Sequence, residues 1–191
     1  MTAKSRQPLA SSGRLVGLDP GRSKCGLVCT DAGRRAVVEA RGEVFTIPAE
    51  KGDPRNLTNS PGANDRSPAW SPDGKSIAWF SDATGEYTLM IGSPNGMGEA
   101  KSVPLLKGSF YYPPQWSPDS KMLLFSDNHL NLWYLEIGKD APVKVDTELF
   151  GPSGPFDVSW SPDSKWIAYA RRLENKFNAV FLHSVKEGKN Y

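Results

Sequence analysis

Residues 160–170 read WSPDSKWIAYA, and nearly the same string begins at Trp116 (WSPDSKMLLFS) and at Trp70 (WSPDGKSIAWFS). The serines that follow the three tryptophans are Ser71, Ser117 and Ser161, spaced by 46 and 44 residues. Self-similarity at this period is typical of propellers and solenoids. The local chemistry of each copy decides between these two architectures.

Each copy reads as a tight turn between two strands. Pro presets the backbone φ, and the following Asp can bond back to the local backbone, so Ser-Pro-Asp-Gly/Ser-Lys predicts a turn. The run after each turn is apolar on both faces, as in a strand buried on both sides. A strand before the turn and two more after it give four strands per repeat, which is a propeller blade. The residues that mark the blades are Trp70, Ser71, Asp73, Trp116, Ser117, Asp119, Trp160, Ser161 and Asp163.

The repeats resemble the β-propeller repeat of tricorn protease and of the Tol-system periplasmic propeller. The resemblance is closest to tricorn-type proteins and rests on GEVFTIPAEKGDPRNLT (42–58), RSPAWSPDGKSIAWFSD (66–82) and the two later WSPDSK blades. It implies a scaffold that binds or gates peptides or contacts other proteins. In tricorn-type peptidases the catalytic residues lie in a separate domain after the propellers, so the resemblance implies no catalytic residue here.

The blade count predicts an incomplete ring. A degenerate copy precedes the three clear ones, and the predicted blades span residues 34–60, 66–106, 112–148 and 156–191, the last without its outer strand. We therefore expect an all-β partial propeller of about 3.5 four-stranded blades, whereas closed propellers have about four to eight. A part-ring leaves an apolar flank uncovered. An N-terminal cap or a second chain could cover it, or the chain is a fragment or fusion without selected activity.

The N-terminal stretch differs from the repeats. Residues 1–13 are expected to be flexible, and residues 14–33 (RLVGLDPGRSKCGLVCTDAG from Arg14) read as a β-hairpin. This hairpin resembles the opening of RNase H-like, Holliday-junction resolvase-type nucleases, in which the Asp ending the first strand, here Asp19, holds Mg²⁺. Glu39 and Glu43 are assigned to blade strands, so the carboxylates that a two-metal site needs are missing. A structural hairpin, joined to the propeller in a chimera, is the preferred interpretation; it could also supply inner strands to the first blade.

Few residues suggest chemistry. The two histidines, His129 in a turn and His183 at a strand end, are expected at the surface or an edge. No Gly-x-Ser-x-Gly elbow is present, so the sequence holds no complete catalytic set. Cys25 and Cys29, without a nearby His, do not make a tetrahedral metal site.

Two sets of blade residues leave functional alternatives open. The repeated Asp73, Asp119 and Asp163 could bind calcium, but turn stabilisation is the stronger interpretation. The tryptophans are expected to pack between blades, and a peptide channel lined by them is the alternative. Arg66, Arg171 and Arg172 are predicted to form a basic rim that contacts a peptide or partner, with Arg171 and Arg172 the better candidates.

The bulk composition sets limits on partners. The net charge is +2, from 23 basic and 21 acidic residues, which argues against nucleic acid as a partner. No apolar run reaches membrane-spanning length and no secretory signal is evident, so cytoplasmic localisation is expected. The expected partners are peptides, or another chain (a second copy included) that completes the propeller. No cofactor is expected, except Mg²⁺ under the nuclease alternative.

Overall fold

The computed structural model describes residues 27–30, 35–48, 50–151 and 154–191 of the chain. Within these ranges every regular element is a β-strand, and the strands form four antiparallel sheets of four strands each. This confirms the all-β, partial-propeller prediction. No helix in this part of the chain is long and apolar enough to cross a membrane. The predicted flexible segment 1–13 and Asp19 lie outside the described residues.

Each sheet is a simple meander in which strands neighbouring in sequence pair with one another. The first sheet contains β1 (Leu27–Thr30), β2 (Arg35–Ala40), β3 (Glu43–Pro48) and β4 (Arg55–Asn56). The second contains β5 (Arg66–Trp70), β6 (Ile77–Ser81), β7 (Thr88–Gly92) and β8 (Lys101–Pro104). The third contains β9 (Gln115–Trp116), β10 (Met122–Ser126), β11 (Asn131–Glu136) and β12 (Val143–Thr147). The fourth contains β13 (Val158–Trp160), β14 (Trp166–Arg172), β15 (Asn178–Ser184) and β16 (Lys189–Asn190).

The two end sheets are more complete than the sequence predicted. The prediction that the last blade lacks its outer strand is wrong, because β16 pairs with β15 through His183 and Asn190. The side-chain amide of Asn190 also donates to the carbonyl of Val145, 2.9 Å away in the third sheet. At the other end, β1 supplies the inner strand of the first sheet, from residues that the sequence assigned to the N-terminal hairpin.

The Ser-Pro-Asp turns are closed by their own side chains. In the first clear copy, the hydroxyl of Ser71 donates to Asp73 Oδ1 at 2.6 Å, and the amide of Lys75 donates to the same oxygen at 3.0 Å. The amide of Ser76 in turn donates to Ser71 Oγ at 2.9 Å. The same three bonds recur around Ser117 and Asp119 and around Ser161 and Asp163. The Asp residues therefore hold the turn, as local side-chain bonding predicts.

The turns also join neighbouring sheets. The amide of Asp73 donates to Ser120 Oγ in the next sheet at 3.0 Å, and the amide of Asp119 donates to Ser164 Oγ at 3.1 Å. Both serines have left-handed backbones, with φ of 62° at Ser120 and 60° at Ser164. That conformation costs a non-glycine residue about 1–2 kcal/mol. The inter-sheet hydrogen bond offsets part of this cost and explains why serine stands where the second sheet has Gly74.

The tryptophans make a second repeated link. The indole Nε1 of Trp116 donates to the carbonyl of Ala69 at 3.0 Å, and that of Trp160 donates to the carbonyl of Gln115 at 3.4 Å. Each indole thus reaches the residue just before the tryptophan of the preceding sheet. The indole nitrogen of Trp70 is buried without a hydrogen-bond partner. The link is therefore made at two of the three interfaces.

The core lies between the sheets rather than within them. One cluster, around Val37, Val44 and Trp79, joins the first and second sheets. A second joins the second and third sheets around Phe80 and Tyr111. A third joins the third and fourth sheets and includes Leu124, Tyr134, Trp160, Ile167 and Tyr169. Each sheet pair therefore shares one apolar layer.

Replacing Ser164 with alanine is expected to lower the free energy of unfolding by about 1 kcal/mol, because the Asp119 amide loses its acceptor. Alanine leaves the left-handed backbone strain unchanged. Ser164→Gly removes the same hydroxyl but relieves that strain, so it should lower the free energy of unfolding less than Ser164→Ala does. Urea unfolding followed by tryptophan fluorescence measures both. Equal midpoints for wild type and Ser164→Ala would show that the inter-sheet bond contributes nothing.

Candidate functional site

The two histidines do not form part of a nucleophilic site in the described structure. His129 lies exposed in the turn between β10 and β11. His183 is only 2% exposed, and its Nδ1 lies 2.6 Å from Asn190 Oδ1. The expectation that His183 is a surface or edge residue is therefore wrong, because β16 extends the sheet beyond β15 and the His183 ring lies 5.7 Å from that of Tyr134 in the third sheet. Among the described residues, no hydrogen bond joins either histidine to a serine or cysteine.

The described residues contain no cluster of three His, Cys, Asp or Glu side chains that could hold a metal ion. Asp73 and Asp119 each accept two hydrogen bonds of their own turn at Oδ1. The hydroxyl of Ser71 is the main cause that holds the pKa of Asp73 below its ordinary value. Burial acts to raise the pKa of Asp119, but hydrogen bonds from Ser117, the Lys121 amide and Ser164 outweigh it and leave that pKa lowered. Cys25 and the side chain of Cys29 lie outside the described residues.

The three predicted rim arginines do not lie together. Arg66 begins β5 in the second sheet, whereas Arg171 and Arg172 end β14 in the fourth. Arg66 is 8% exposed, and its guanidinium lies 3.6 Å from the ring centre of Phe110. It also donates to the carbonyl of Tyr111, and burial lowers its pKa. Its charge therefore faces aromatic rings rather than a solvent-exposed rim, and its predicted contact with a peptide stays a prediction.

Arg171 is held in place by two neighbours. Its Nη1 donates to Asp146 Oδ1 at 3.1 Å, and its guanidinium lies 4.5 Å from the ring centre of Phe181. The hydroxyl of Tyr169 donates to the other oxygen of Asp146 at 2.6 Å, and burial, with this bond, raises the pKa of Tyr169. Arg171 and Arg172 line a cavity of about 260 Å³ together with Glu148 and other residues of the third and fourth sheets. Adjacent residues of a strand point to opposite faces of the sheet, so the two arginines line this cavity from different sides of β14.

The fourth sheet has one apolar surface that no further sheet of the described residues covers; among its side chains, the ring of Trp166 lies 6.0 Å from that of Tyr191. This surface is called here the open face and consists of Trp166, Val180 and Leu182, which are 37%, 75% and 45% exposed. Ala168 pairs with Leu182, and Ala170 pairs with Val180, so these residues share one side of the sheet. Ile167 and Tyr169, on the other side, pack against the third sheet.

A second cavity of about 260 Å³ lies between the first and second sheets, and Asp65 lines it. The sequence interpretation missed Asp65. The repeat spacing carries a signal for it, because the residues six positions before Ser117 and Ser161 are Tyr111 and Pro155, whereas Asp65 stands six positions before Ser71. At this position of the repeat, the second sheet's copy therefore has an acidic residue and the two later copies do not.

Comparison with known proteins identifies the family. No curated protein matches the chain in sequence. Among solved structures, tricorn protease matches with a TM-score of 0.72 and 13% identity, over 87% of this chain and 16% of that one. TolB from Acinetobacter baumannii matches with a TM-score of 0.61 and 17% identity, over 86% of this chain and 41% of that one. Puromycin hydrolase matches with a TM-score of 0.62 and 17% identity, over 87% and 28%.

The chain therefore spans less than half of each of these three structures, and identities this low show a shared fold only. A family model gives the more specific result. The model described as "Tricorn protease second beta propeller domain" matches residues 28–191, and so covers all four sheets except the first residue of β1. The chain belongs to the family of the tricorn protease second β-propeller domain.

Proposed function

We propose that this chain is a non-catalytic propeller scaffold that acts by protein interaction, and that its open face docks a further propeller blade. The observation that carries the proposal is the exposure of apolar side chains whose equivalents in the third sheet are buried. Interfaces between blades are apolar, and an uncovered apolar sheet face marks an interaction surface.

The side chains of the third sheet that are equivalent to those of the open face are covered by a neighbouring sheet. Strand pairing makes Val180 equivalent to Leu132 and Leu182 equivalent to Tyr134. Leu132 and Tyr134 are 1% and 9% exposed because the fourth sheet covers them. Val180 and Leu182 carry similar apolar side chains on the same side of the next sheet. Full burial of one such side chain stabilises by about 1.5–3 kcal/mol.

The inter-sheet hydrogen bonds define the chemistry of the expected partner. The second and third sheets each receive two such bonds from the next sheet. A tryptophan indole of the next sheet donates to the carbonyl of the residue that precedes the sheet's own tryptophan. A serine hydroxyl of the next sheet accepts the amide of the sheet's turn Asp. In the fourth sheet these two groups are the carbonyl of Ser159 and the amide of Asp163. No described residue offers them an indole or a serine. The open face therefore matches a blade with Trp and Ser in a Trp-Ser-Pro-Asp-Ser turn.

A second copy of this chain is a poorer match. A ring of two copies would bring the first blade of one copy to the open face of the other. Spacing the first blade like the second puts Cys29 at the Trp70 position and Gly33 at the Gly74 position. Neither residue carries the indole or the hydroxyl that the fourth sheet would receive.

The test extends the full chain by a copy of its own residues 148–191, placed after Tyr191. This adds a blade that carries the required Trp and Ser. We expect the amides of β15 in the original fourth sheet to exchange with solvent at least about tenfold more slowly, because opening that sheet would then expose more apolar surface. Hydrogen exchange read by mass spectrometry or NMR measures the change.

The matched control carries the same extension with its Trp changed to Phe and its turn Ser changed to Gly. Protection should be weaker in this control, because both inter-sheet bonds are lost. The proposal fails if the extension leaves β15 exchange unchanged. It also fails if light scattering shows that the unextended chain is a dimer with β15 already protected, since a second copy would then cover the open face.

Peptide binding is the finer role that we propose for the scaffold. The cavity beside Arg171 and Arg172 supports it, because Asp146 and Phe181 hold Arg171 in a fixed position at the cavity wall. Arg171 and Arg172 are the residues that we expect to contact a peptide.

A further inference from the structure

The cavity between the first and second sheets, called here the Asp65 cavity, carries an inference separate from the proposed scaffold role. Its volume is about 260 Å³. Ser60 and Asp65 lie on the segment that leads from the first sheet to the second. Trp79, Met90 and Gly92 line it from β6 and β7.

Asp65 lines this cavity and has one carboxylate oxygen without a hydrogen-bond partner. The residue is 1% exposed, and its Oδ2 accepts a hydrogen bond from the hydroxyl of Ser60. Its Oδ1 is buried and has no hydrogen-bond partner. Buried polar atoms in native proteins nearly always have a partner, and a buried charge without one is costly. The missing partner of Oδ1 must be a donor.

Asp127 shows how this fold satisfies a buried aspartate when no ligand is needed. It is 0% exposed. Its oxygens accept hydrogen bonds from the His129 amide, the Asn131 amide, the Asn131 side chain and the Trp133 indole, at 2.9–3.2 Å. Asp65 is equally buried but has one donor from its neighbours. The difference points to a ligand at Asp65 rather than to a general property of buried acids here.

The cavity wall limits what the ligand can be. Among the described residues that line it, Asp65 is the only charged one, so the cavity favours a cation. Trp79 and Met90 supply apolar and aromatic surface beside Asp65. A cation near the face of an aromatic ring is stabilised further by the electrostatic attraction of the ring. A single carboxylate does not suit a metal ion, which takes several oxygen ligands. An alkylammonium group satisfies both parts of the wall.

Three glycines line one side of the cavity. A Cβ added at Gly92 would lie 2.9 Å from Cη2 of Trp79, so only glycine lets the indole pack against this strand. Gly96 and Gly98, also in the wall, have left-handed backbones with φ of 69° and 84°. We propose that the Asp65 cavity binds a primary ammonium group with a short apolar substituent, with the Asp65 carboxylate as its counter-ion. Free amines and peptide N-termini share this chemistry.

The test titrates the full chain with n-butylammonium and follows the backbone amides of Gly92, Gly96 and Gly98 by ¹H–¹⁵N NMR. Saturable shifts at these glycines are expected, and n-butanol, which has the same apolar tail without the charge, should bind at least about tenfold more weakly. A second arm uses glycyl-leucinamide and its N-acetylated form. Shifts with the free dipeptide but not with the acetylated one would assign the site to peptide N-termini. Shifts with n-butylammonium alone would assign it to free amines.

The decisive variant is Asp65→Asn, which keeps the size and one acceptor oxygen but removes the charge. It should weaken n-butylammonium binding at least about tenfold. Asp82→Asn is the matched control, because Asp82 lies nearby, accepts the Asn64 amide at 2.6 Å and does not line the cavity. Near-UV circular dichroism checks that both variants keep the native packing. The proposal is overturned if neither ammonium probe gives saturable shifts, which would leave water as the partner of Asp65. Equal binding by wild type and Asp65→Asn would overturn it as well.

Discussion

Replacing Asp127 with alanine is expected to lower the free energy of unfolding by about 3 kcal/mol, because several buried donors lose their acceptor at once. The carboxylate accepts hydrogen bonds from the amides of His129 and Asn131 and from the indole of Trp133, each at 2.9 Å. It also stabilises a turn in which Leu130 has a left-handed backbone with φ of 64°. Without Asp127 that strain is no longer compensated. Urea unfolding followed by near-UV circular dichroism measures the loss.

Two controls make the Asp127 result specific. Asp127→Asn keeps one acceptor oxygen but turns an amide NH₂ toward donors. Its free energy of unfolding should therefore lie between those of the wild type and Asp127→Ala. Asp140→Ala removes an aspartate whose side chain is 91% exposed and whose one ion pair, with Lys101, lies at the surface. Ion pairs exposed to this degree contribute little to stability. If Asp127→Ala destabilises no more than Asp140→Ala, the network does not stabilise the turn.

The blades could be predicted because their signals are local. Pro, Asp and the following apolar run act over a few residues, and the same letters recur at Ser71, Ser117 and Ser161. The turn bonds in the structure involve residues two to five positions apart. Interactions at this range depend little on the rest of the fold, so sequence reasoning reaches them.

The outer strand of the last blade could not be predicted, because its signal is not local. Lys189 and Asn190 are polar and exposed, and nothing in their composition favours a strand. They pair with β15, and Asn190 also bonds His183 and the Val145 carbonyl. Tertiary contacts therefore make this strand, and they also bury His183.

The candidate sites depended on burial that the sequence does not display. Arg66 reads as one more surface cation until its packing against Phe110 is seen. Val180 and Leu182 read as ordinary blade residues, and only the comparison with Leu132 and Tyr134 shows that their cover is missing. Asp65 differs from the other repeats in sequence, but the missing partner of its Oδ1 is visible only in three dimensions. The hypothesis of an Asp19 metal site stays a prediction.

Replacing Phe80 with alanine is expected to cost about 3–5 kcal/mol, which is typical of removing a fully buried aromatic ring. Phe80 is 0% exposed. Its ring centre lies 5.3 Å from that of Tyr111 and 5.9 Å from that of Phe125, so the three rings join the second sheet to the third. The cavity left by the missing Phe80 ring would weaken the packing between these two sheets. Urea unfolding measures the cost, and Phe177→Ala, at a ring that is 72% exposed, is the matched control, expected to cost less than about 0.5 kcal/mol.

Hydrogen exchange on the Phe80→Ala variant tests where the stability of this propeller resides. The clusters between sheets are separate, and the one around Trp160 and Ile167 contains no residue of the second sheet. We therefore expect faster exchange in β6 and β10 but little change in β14. Uniformly faster exchange would show that the four sheets unfold as one unit. A local effect would show that each sheet pair is stabilised by its own shared layer, which is also why an added blade should protect the open face.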